Sequence, residues 1–294
     1  MTIQWFPGHM AKTRKLISEN LRMIDVVIEL LDARIPFSSK NPEIDTLIKN
    51  KPKVIAFNKS DLADDELSSA WSDFYKFQGH TVVLLDSIKG TGINHLKSKL
   101  QELMKDKLER NKSKGIIYRP IRTMILGIPN VGKSSFINRI AGRSKAETGD
   151  KPGVTRQKQW IRIAKGIDML DMPGILWTKF DDEKVGYNLA ITGAIKDNIF
   201  DIVKVAAVLL EYLKFQYPNL LKERYKLDSP NDLHTGYEIL EAAAKKRGCL
   251  IKGGEVDFNR IAAIILDEFR GGKIGRITLE KPSSDINLES NSSQ

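Results

Sequence analysis

Hydrophobic and polar positions follow two different patterns along the chain. Over the first 178 residues, short apolar runs rich in β-branched residues alternate with helical stretches such as 93–108 and 132–140. The runs lie at residues 26–31, 54–57, 82–85, 123–127, 160–163 and 168–170. Runs of this kind are typical of strands buried on both faces of a sheet. Their alternation with helices predicts an α/β, doubly wound sheet.

The rest of the chain has only helical spacing. Apolar residues recur with helical period over 201–217, and the pattern stops at Pro218. An alanine-rich stretch over 236–247 closes at Gly248, and Asp257 is a candidate N-cap for a helix over 258–270. We therefore expect a sheet domain over 1–178, a small all-helical domain over 179–281, and a disordered Ser- and Asn-rich tail over 282–294.

Composition and charge narrow the class of protein. The chain has 294 residues, 41% of them hydrophobic, which excludes a mostly disordered protein. Residues 1–178 hold 30 basic and 19 acidic residues (30 − 19 = +11), and residues 179–294 hold 17 and 18 (17 − 18 = −1). The basic excess permits a polyanionic partner, and we expect such a partner to contact residues 1–178. One cysteine, no leader-like start and no long apolar run predict a cytoplasmic protein without a membrane span.

A phosphate-binding loop is the strongest motif. Residues 127–134 read Gly-Ile-Pro-Asn-Val-Gly-Lys-Ser and match G-x-x-x-x-G-K-[ST] between an apolar run and a helical stretch. Such a loop directs backbone N–H groups at phosphate oxygens. Lys133 is predicted to neutralise the β- and γ-phosphates, and Ser134 to ligate Mg²⁺. The predicted nucleotide contacts of the loop are Asn130, Val131, Gly132, Lys133, Ser134 and Ser135.

Two weaker motifs fit the same phosphates. Asp171-Met-Pro-Gly174 follows an apolar run, so Asp171 is a candidate to hold Mg²⁺ through water and Gly174 to approach the γ-phosphate. Thr155 lies in a loop between the two motifs and is a candidate third Mg²⁺ ligand. Each motif is weak alone, and each gains weight from its distance to the phosphate loop.

The base is predicted to be guanine. Asn58-Lys59-Ser60-Asp61 matches N-K-x-D, in which the Asp carboxylate accepts two hydrogen bonds that adenine does not offer and the Lys stem covers the base. A weaker segment, Asp86-Ser87-Ile88-Lys89, follows the next apolar run. There the N–H groups of Ser87 and Ile88 are expected to be available to the guanine oxygen. Asn58 and Asp61 disfavour an ATPase or a kinase.

The order of the motifs is rotated. N-K-x-D precedes the phosphate loop by about seventy residues, whereas it follows that loop in ordinary small GTPases. A sheet tolerates this order if the old termini are adjacent, and the basic segment 111–119 is the predicted connection. With these motifs, the Trp5-Phe-Pro-Gly-His-Met10 segment and the helical part, the chain resembles the circularly permuted GTPases, in particular the ribosome biogenesis GTPase A family, over almost its full length.

The resemblance implies a partner and a reaction. It implies GTP hydrolysis in late assembly of the large ribosomal subunit, stimulated by the ribosomal particle, with rRNA and ribosomal proteins as partners of a monomeric factor. It further implies K⁺ binding by Asn130 and water activation by His9. Ile175 follows Gly174 where Ras-type GTPases place a water-orienting Gln. A nucleotide-gated rRNA-binding scaffold with little functional hydrolysis is therefore the alternative.

Two segments concentrate the basic charge. Residues 139–165, around Thr155, hold eight basic and two acidic residues, and residues 89–122 hold ten and three. Solvated helix faces would explain many such runs. Contact with rRNA phosphates beside the nucleotide switch is the sharper interpretation of the first segment.

Overall fold

A computed structural model describes residues 9–115, 119–141, 160–177, 180, 182–227 and 233–282 of the chain. The described residues form two compact units. One contains the described residues between 9 and 177 together with 280–282, and is called the sheet unit. The other contains the described residues between 180 and 279, and is called the helical unit. No helix among these residues is long and apolar enough to cross a membrane.

The sheet unit is built on six strands. They are β1 (Val26–Asp32), β2 (Lys53–Asn58), β3 (Thr81–Leu84), β4 (Ile121–Gly127), β5 (Trp160–Ala164) and β6 (Ile167–Leu170). Their order in the sheet is β3-β2-β1-β4-β6-β5. All neighbours are parallel except β5, which runs antiparallel to β6 at one edge. The predicted α/β sheet is confirmed, with every predicted strand present and ends shifted by up to two residues.

Burial explains why the strands form. Every residue of β1 is buried, and β4 is buried except for Arg122. Strand β5 differs, because its side chains alternate between exposed and buried, as expected of an edge strand with one solvated face. The deeper core beside β2 includes Trp71 and Tyr75, whose rings stack with centroids 5.8 Å apart.

Six helices belong to the sheet unit. They are α1 (His9–Leu21), α2 (Pro42–Ile48), α3 (Asp65–Phe77), α4 (Ile93–Leu103), α5 (Lys105–Ser113) and α6 (Lys133–Ala141). The single helix predicted over 93–108 is wrong, since the helix breaks at Met104. The apolar period ends there: α4 buries Ile93, Leu96 and Leu100, whereas α5 buries no side chain.

The helical unit contains α7 (Glu183–Ile191), a 3₁₀ turn (Asp197–Ile199), α8 (Ile202–Gln216), α9 (Pro218–Tyr225), α10 (Gly236–Arg247) and α11 (Phe258–Arg270). The capping predictions are confirmed. Asp257 accepts a hydrogen bond from the Arg260 N–H, and Gly248 ends α10 with a φ of 64°. Helices α10 and α11 were thus marked in the sequence by their caps as much as by their apolar faces.

The chain returns to the sheet unit after the helical unit. The Glu280 carboxylate accepts hydrogen bonds from the backbone N–H of Phe37 (2.7 Å) and of Ser38 (3.0 Å), and from the Ser38 hydroxyl. The Trp71 indole donates to the Glu280 carbonyl at 3.0 Å. Glu280 therefore attaches residues 280–282 to the rest of the sheet unit. Of the predicted tail, all but Pro282 lies outside the described residues.

Candidate nucleotide-binding site

The parallel register brings the motifs to one edge of the sheet. Asp32 at the end of β1 pairs with Asn58 at the end of β2, and Leu30 pairs with Gly127 at the end of β4. The loops that follow these strands therefore leave the sheet side by side. Ligands of open α/β sheets bind at this carboxyl edge, so its geometry decides what the unit can bind.

The phosphate loop wraps around the Lys133 side chain. The Lys133 ammonium donates to the carbonyls of Gly127 (3.0 Å) and Ile128 (2.8 Å). Asn130 and Gly132 take positive φ values of 56° and 98°, which turn the backbone into the loop. Burial lowers the pKa of Lys133 to about 8, and the Asp171 carboxylate acts in the opposite direction. A cation thus lies at the centre of the loop with Asp171 nearby.

Asn58 joins the three loops that follow β2, β3 and β4. Its Nδ2 donates to the Val131 carbonyl at 2.8 Å, and its Oδ1 accepts from the Ser87 N–H (3.1 Å) and hydroxyl (2.6 Å). The approach to the phosphate loop is so close that a Cβ at Gly132 would collide with Asn58 Nδ2. A glycine is therefore required at position 132 for two reasons, its φ and this contact.

Lys59 links the base-recognition loop to the phosphate loop. Its ammonium donates to the Asn130 carbonyl at 2.7 Å and to the Asp32 carboxylate at 2.8 Å. Asp61, the residue predicted to read guanine, is half-buried two positions further on. The side chain whose stem is predicted to cover the base is thus fixed at its tip.

The backbone N–H groups of the turn after β3 donate to side chains of the protein. The Ser87 N–H donates to Asn58, and the Ile88 N–H donates to Asp86 Oδ1 at 2.8 Å. Both N–H groups therefore have acceptors within the protein, one in the neighbouring motif and one in the turn itself. Ser87 is buried, whereas Ile88 is 77% exposed.

The segment after β6 is joined to the phosphate loop. The Ile175 N–H donates to the Gly127 carbonyl at 3.1 Å, and the Ile175 carbonyl accepts from the Asn41 side chain at 3.2 Å. A Cβ at Gly174 would lie 3.0 Å from the Pro129 nitrogen and 3.1 Å from the Lys133 ammonium. The glycine thus allows this segment to approach the centre of the loop. The Ile175 side chain is fully buried.

The remaining predicted residues are spread along this edge or lie outside the described chain. Ser134 and Ser135 are half-buried in the first turn of α6, and Val131 is buried in the loop. Thr155 lies outside the described residues. His9 begins α1, and its side chain is not described.

The sequence interpretation missed two buried charged residues. Asp32 and Arg34 follow the apolar run of β1, and each is about 1% exposed. Their signal was an aspartate and an arginine at the end of a buried strand, where charge is rarely tolerated without a partner. Burial alone would raise the pKa of the Asp32 carboxyl, but Arg34 and Lys59 outweigh burial and hold that pKa well below its usual range.

Comparison with known proteins identifies relatives of this architecture. A family model described as 50S ribosome-binding GTPase matches residues 122–227. Ribosome biogenesis GTPase A of Bacillus cereus is 47% identical, with 96% of this chain and 95% of the relative covered. The protein of the same name from Priestia megaterium is 49% identical, with 96% and 98% covered.

Solved structures agree with these relatives. GNP-bound YlqF from T. maritima superposes with a TM-score of 0.64 at 27% identity, and covers 92% of this chain and 99% of its own. A GDP-bound structure of the same protein gives a TM-score of 0.62. The rotated motif order, the convergence of the motifs at one sheet edge and identities near one half lead to one assignment. The chain belongs to the ribosome biogenesis GTPase A family.

Proposed function

We propose that the chain is a GTP-binding and GTP-hydrolysing assembly factor that acts in late maturation of the large ribosomal subunit. Family membership carries the GTPase activity. The observation that supports it most directly is the bridge made by Asn58 between the base-recognition loop and the phosphate loop, because that bridge joins a guanine-selective motif to a triphosphate cradle. The relatives' names connect the reaction to ribosome assembly.

The nucleotide is held at both ends. Asp61 accepts the N1–H and 2-amino hydrogens of guanine, and the Lys59 stem lies against the base. Ser87 and Ile88 line the base side through the turn that contains them. At the other end, Lys133 exchanges its bonds to the loop carbonyls for the β- and γ-phosphates, and N–H groups of the loop, with Gly174, donate to the phosphate oxygens. The buried ammonium of Lys133 fits this role because, among the described residues, its hydrogen-bond acceptors are the neutral carbonyls of Gly127 and Ile128.

Mg²⁺ fits the same site. Among the described residues no cluster of three His, Cys, Asp or Glu side chains exists, so the protein alone offers no dense carboxylate site. Mg²⁺ in phosphate-transfer sites takes a few protein oxygens and completes its shell with phosphates and water. Ser134, Thr155 and, through water, Asp171 would hold it, and it would neutralise charge on the γ-phosphate. Asn130 would hold K⁺ beside the phosphates.

Hydrolysis needs a group that orients water. Ile175 is buried and apolar, so it does not serve. We assign the positioning of the attacking water to His9 at the start of α1, because a neutral imidazole can accept a proton from water near neutral pH. The test is His9→Ala, with His95→Ala on the exposed face of α4 as the matched control. A loss of particle-stimulated turnover in the first variant alone is expected. Equal turnover in both would exclude this role.

The basic excess of residues 1–178 supports an rRNA contact on the nucleotide-sensing side of the protein. Binding to rRNA phosphates releases counterions, so affinity for precursor large subunits should fall steeply with added salt. Sedimentation of the protein with precursor particles over a salt series measures this. A flat salt dependence would count against the contact. In this proposal the protein acts in the cytoplasm, where ribosomal particles assemble. It acts there as a monomer.

One experiment separates the enzyme from the nucleotide-gated scaffold. Single-turnover GTP hydrolysis is measured alone and with precursor large subunits, in K⁺ and in Na⁺. Stimulation by the particle, larger in K⁺, supports the enzyme with a K⁺ site at Asn130. Equal rates in all four conditions would instead support the scaffold, for which the apolar Ile175 is the favouring observation.

A further inference from the structure

A buried asparagine lies beside the segment that follows β6. Asn41 precedes Pro42, the first residue of α2, and has the extended backbone (φ −81°, ψ 114°) that a following proline favours. In this conformation Asn41 is the N-cap of α2, and its Oδ1 accepts a hydrogen bond from the Glu43 N–H at 3.0 Å. Asn41 is fully buried. No nucleotide motif of the sequence includes this residue.

The other half of the Asn41 amide contacts a different element. Its Nδ2 donates to the Ile175 carbonyl at 3.2 Å. Capping a helix needs only an acceptor, and an aspartate or a serine would supply one about equally well. Asparagine differs from these residues because the same planar group also carries N–H donors. The bond to Ile175 is therefore a contact that the cap itself does not require.

Both polar backbone atoms of Ile175 are thus bonded to other elements. The Ile175 N–H donates to the Gly127 carbonyl at the end of β4, at 3.1 Å, and the Ile175 carbonyl accepts from Asn41 at the start of α2. Gly174 directly precedes it, and a Cβ there would lie 3.1 Å from the Lys133 ammonium. Fixing Ile175 therefore fixes the chain one residue after the glycine that approaches the centre of the phosphate loop.

The loop between β1 and α2, which contains Asn41, is held at other points as well. The Ser39 hydroxyl donates to the Ile35 carbonyl at 2.7 Å. The Glu280 carboxylate accepts from the backbone N–H groups of Phe37 and Ser38. Because these bonds lie within the protein, the loop holds its asparagine in a fixed position before any ligand binds.

We propose that Asn41 is a positioning residue for recognition of the γ-phosphate. Its amide holds Ile175 beside the phosphate loop, so that Gly174 donates its N–H to the γ-phosphate without an additional cost of ordering the segment. The inference rests on the proposed function, which assigns this contact to Gly174. GDP has no γ-phosphate, so an effect that acts through Gly174 appears with GTP and is absent with GDP.

The test removes the donor and keeps the cap. Asn41→Asp leaves an acceptor for the Glu43 N–H and replaces the amide donor by a carboxylate oxygen, which repels the Ile175 carbonyl. Asn41→Ser also leaves an acceptor and adds no charge. Affinities for GDP and for a GTP analogue with an imido bridge between the β- and γ-phosphates are measured by titration calorimetry on the full chain. Both variants should bind the analogue about fivefold more weakly than the wild type, whereas GDP affinity should change by less than about twofold.

Asn20 provides the matched control. It is a fully buried asparagine of α1, and its Nδ2 donates to the Leu16 carbonyl of the same helix at 2.6 Å. Asn20→Asp and Asn20→Ser therefore remove the same kind of bond from the sheet unit at a place outside the nucleotide motifs. Circular dichroism establishes that each variant is folded. The control variants should leave the ratio of the two affinities unchanged, even where they lower stability.

Hydrogen exchange identifies the route of the effect. In the nucleotide-free wild-type protein the Ile175 N–H should exchange slowly, because its residue is held by bonds on both sides. In Asn41→Asp this N–H should exchange about fivefold faster, and the GTP analogue should slow it again. Asn20→Asp should leave its exchange unchanged. Equal exchange of the Ile175 N–H in wild type and Asn41→Asp would contradict the proposed route.

The outcomes keep the two proposals apart. Absence of GDP binding by the wild-type chain contradicts the proposed function. Wild-type GDP binding with unchanged analogue affinity in the Asn41 variants overturns the role of Asn41. An equal loss for GDP and the analogue overturns it too, because a general distortion of the site would then be the cause, and so does a loss confined to Asn41→Asp, which would come from the added charge. If neither variant folds, exchange of the wild-type Ile175 N–H decides: slow exchange in the nucleotide-free protein supports the fixed segment, and rapid exchange contradicts it.

Discussion

The two units place their buried charges differently. In the sheet unit, Asp32 and Lys59 lie at the carboxyl ends of β1 and β2, and Lys133 follows β4. One further buried carboxylate, Glu29, lies within β1 and pairs with Lys53 at the start of β2. In the helical unit, Glu268 of α11 pairs with Arg224 in the last turn of α9 and with Arg247 in the last turn of α10. The first set lies at the candidate nucleotide site, whereas the second joins helix ends.

The difference follows from secondary structure. A buried strand holds a charge within its length only beside a partner, as Glu29 does with Lys53. Loops leave the sheet at the carboxyl ends of the strands, and Asp32 and Lys59 lie there, where ligands of α/β sheets bind. A helix favours cations in its last turn, and a carboxylate on a third helix can neutralise two such ends. The basic residues at the end of α10 are therefore partly engaged within the unit: Arg247 contacts Glu268, and Lys245 contacts Glu241 at 2.6 Å. A basic cluster in sequence is thus a weaker sign of RNA contact here than in the sheet unit.

The largest expected effect comes from Asp61→Asn in the sheet unit. The substitution replaces an acceptor of two guanine hydrogens by an amide that matches only one, so GDP affinity should fall by about a hundredfold or more. Xanthosine diphosphate, whose base carries an oxygen in place of the 2-amino group, should bind the variant better than GDP. Calorimetry with both nucleotides measures this. Asp73→Asn on the exposed face of α3 is the control, and equal GDP affinity in both variants would refute the role of Asp61.

Glu268→Gln should produce the matching effect in the helical unit, on stability alone. Glu268 accepts from Arg224 Nε at 3.0 Å and from Arg247 Nη2 at 3.1 Å, with its side chain 9% exposed. Losing the charge should lower the free energy of unfolding of this unit by about 2 kcal/mol. Urea unfolding followed by hydrogen exchange in α9, α10 and α11 measures this change. A shift in GDP affinity would break the contrast between the units.

The pH dependence of nucleotide binding should follow Lys133. Burial depresses the pKa of Lys133 to about 8, and phosphate oxygens favour its charged form. Above that pH, Lys133 of the free protein is mostly neutral, so GDP binding must be accompanied by the uptake of a proton. Affinity should therefore be constant below about pH 7 and fall about threefold to fourfold by pH 8.5. Calorimetry in buffers of different ionisation enthalpy detects the proton.

Lys133→Arg provides the control for this titration. A guanidinium stays charged over the whole range, so the slope between pH 7 and pH 8.5 should disappear even if affinity is lower throughout. The same slope in the variant would mean that another group takes up the proton. In the free protein the depressed pKa has the opposite consequence, since the unfolded chain binds more protons than the folded chain between about pH 8 and 10 and stability from this group rises there.

Much of the fold could be predicted from the sequence, because strands and caps leave local signals. Apolar runs marked all six strands, and Asp257 and Gly248 marked helix ends. The break at Met104 was missed, since both halves favour a helix and only the loss of an apolar face separates them.

The motifs were predictable, whereas the bonds between them were not. The spacing of N-K-x-D and of the phosphate loop predicted the nucleotide. No local sequence signal predicted that Asn58 would accept a hydrogen bond from the Ser87 N–H. The contact of Asp32 with Lys59 joins residues 27 positions apart through the register of β1 and β2. Such pairings depend on which strands become neighbours, and neighbours are set by the whole sheet.

The smallest expected effect comes from an exposed ion pair of the helical unit. Arg270 pairs with Asp197 at 2.7 Å, and the Asp197 side chain is 43% exposed. Arg270 also donates to the carbonyls of Ala190 and Ile191 at the end of α7, at 2.9 Å and 3.0 Å. Asp197→Asn should cost less than about 1 kcal/mol of unfolding free energy, because exposed pairs contribute little and the arginine keeps its carbonyl partners.

Arg270→Met sharpens this last comparison. It removes the carbonyl bonds together with the ion pair and should cost about 2 kcal/mol, since carbonyl oxygens at the end of α7 lose a charged donor. Urea unfolding of both variants in low and high salt measures the split. A salt-sensitive loss of similar size in both variants, with an added salt-insensitive loss in Arg270→Met, would identify the carbonyl bonds as the main contribution. Equal losses of unfolding free energy in both variants would mean instead that the exposed Arg270–Asp197 pair provides the stability. That result would contradict the view that charged side chains of this unit act by joining helix ends.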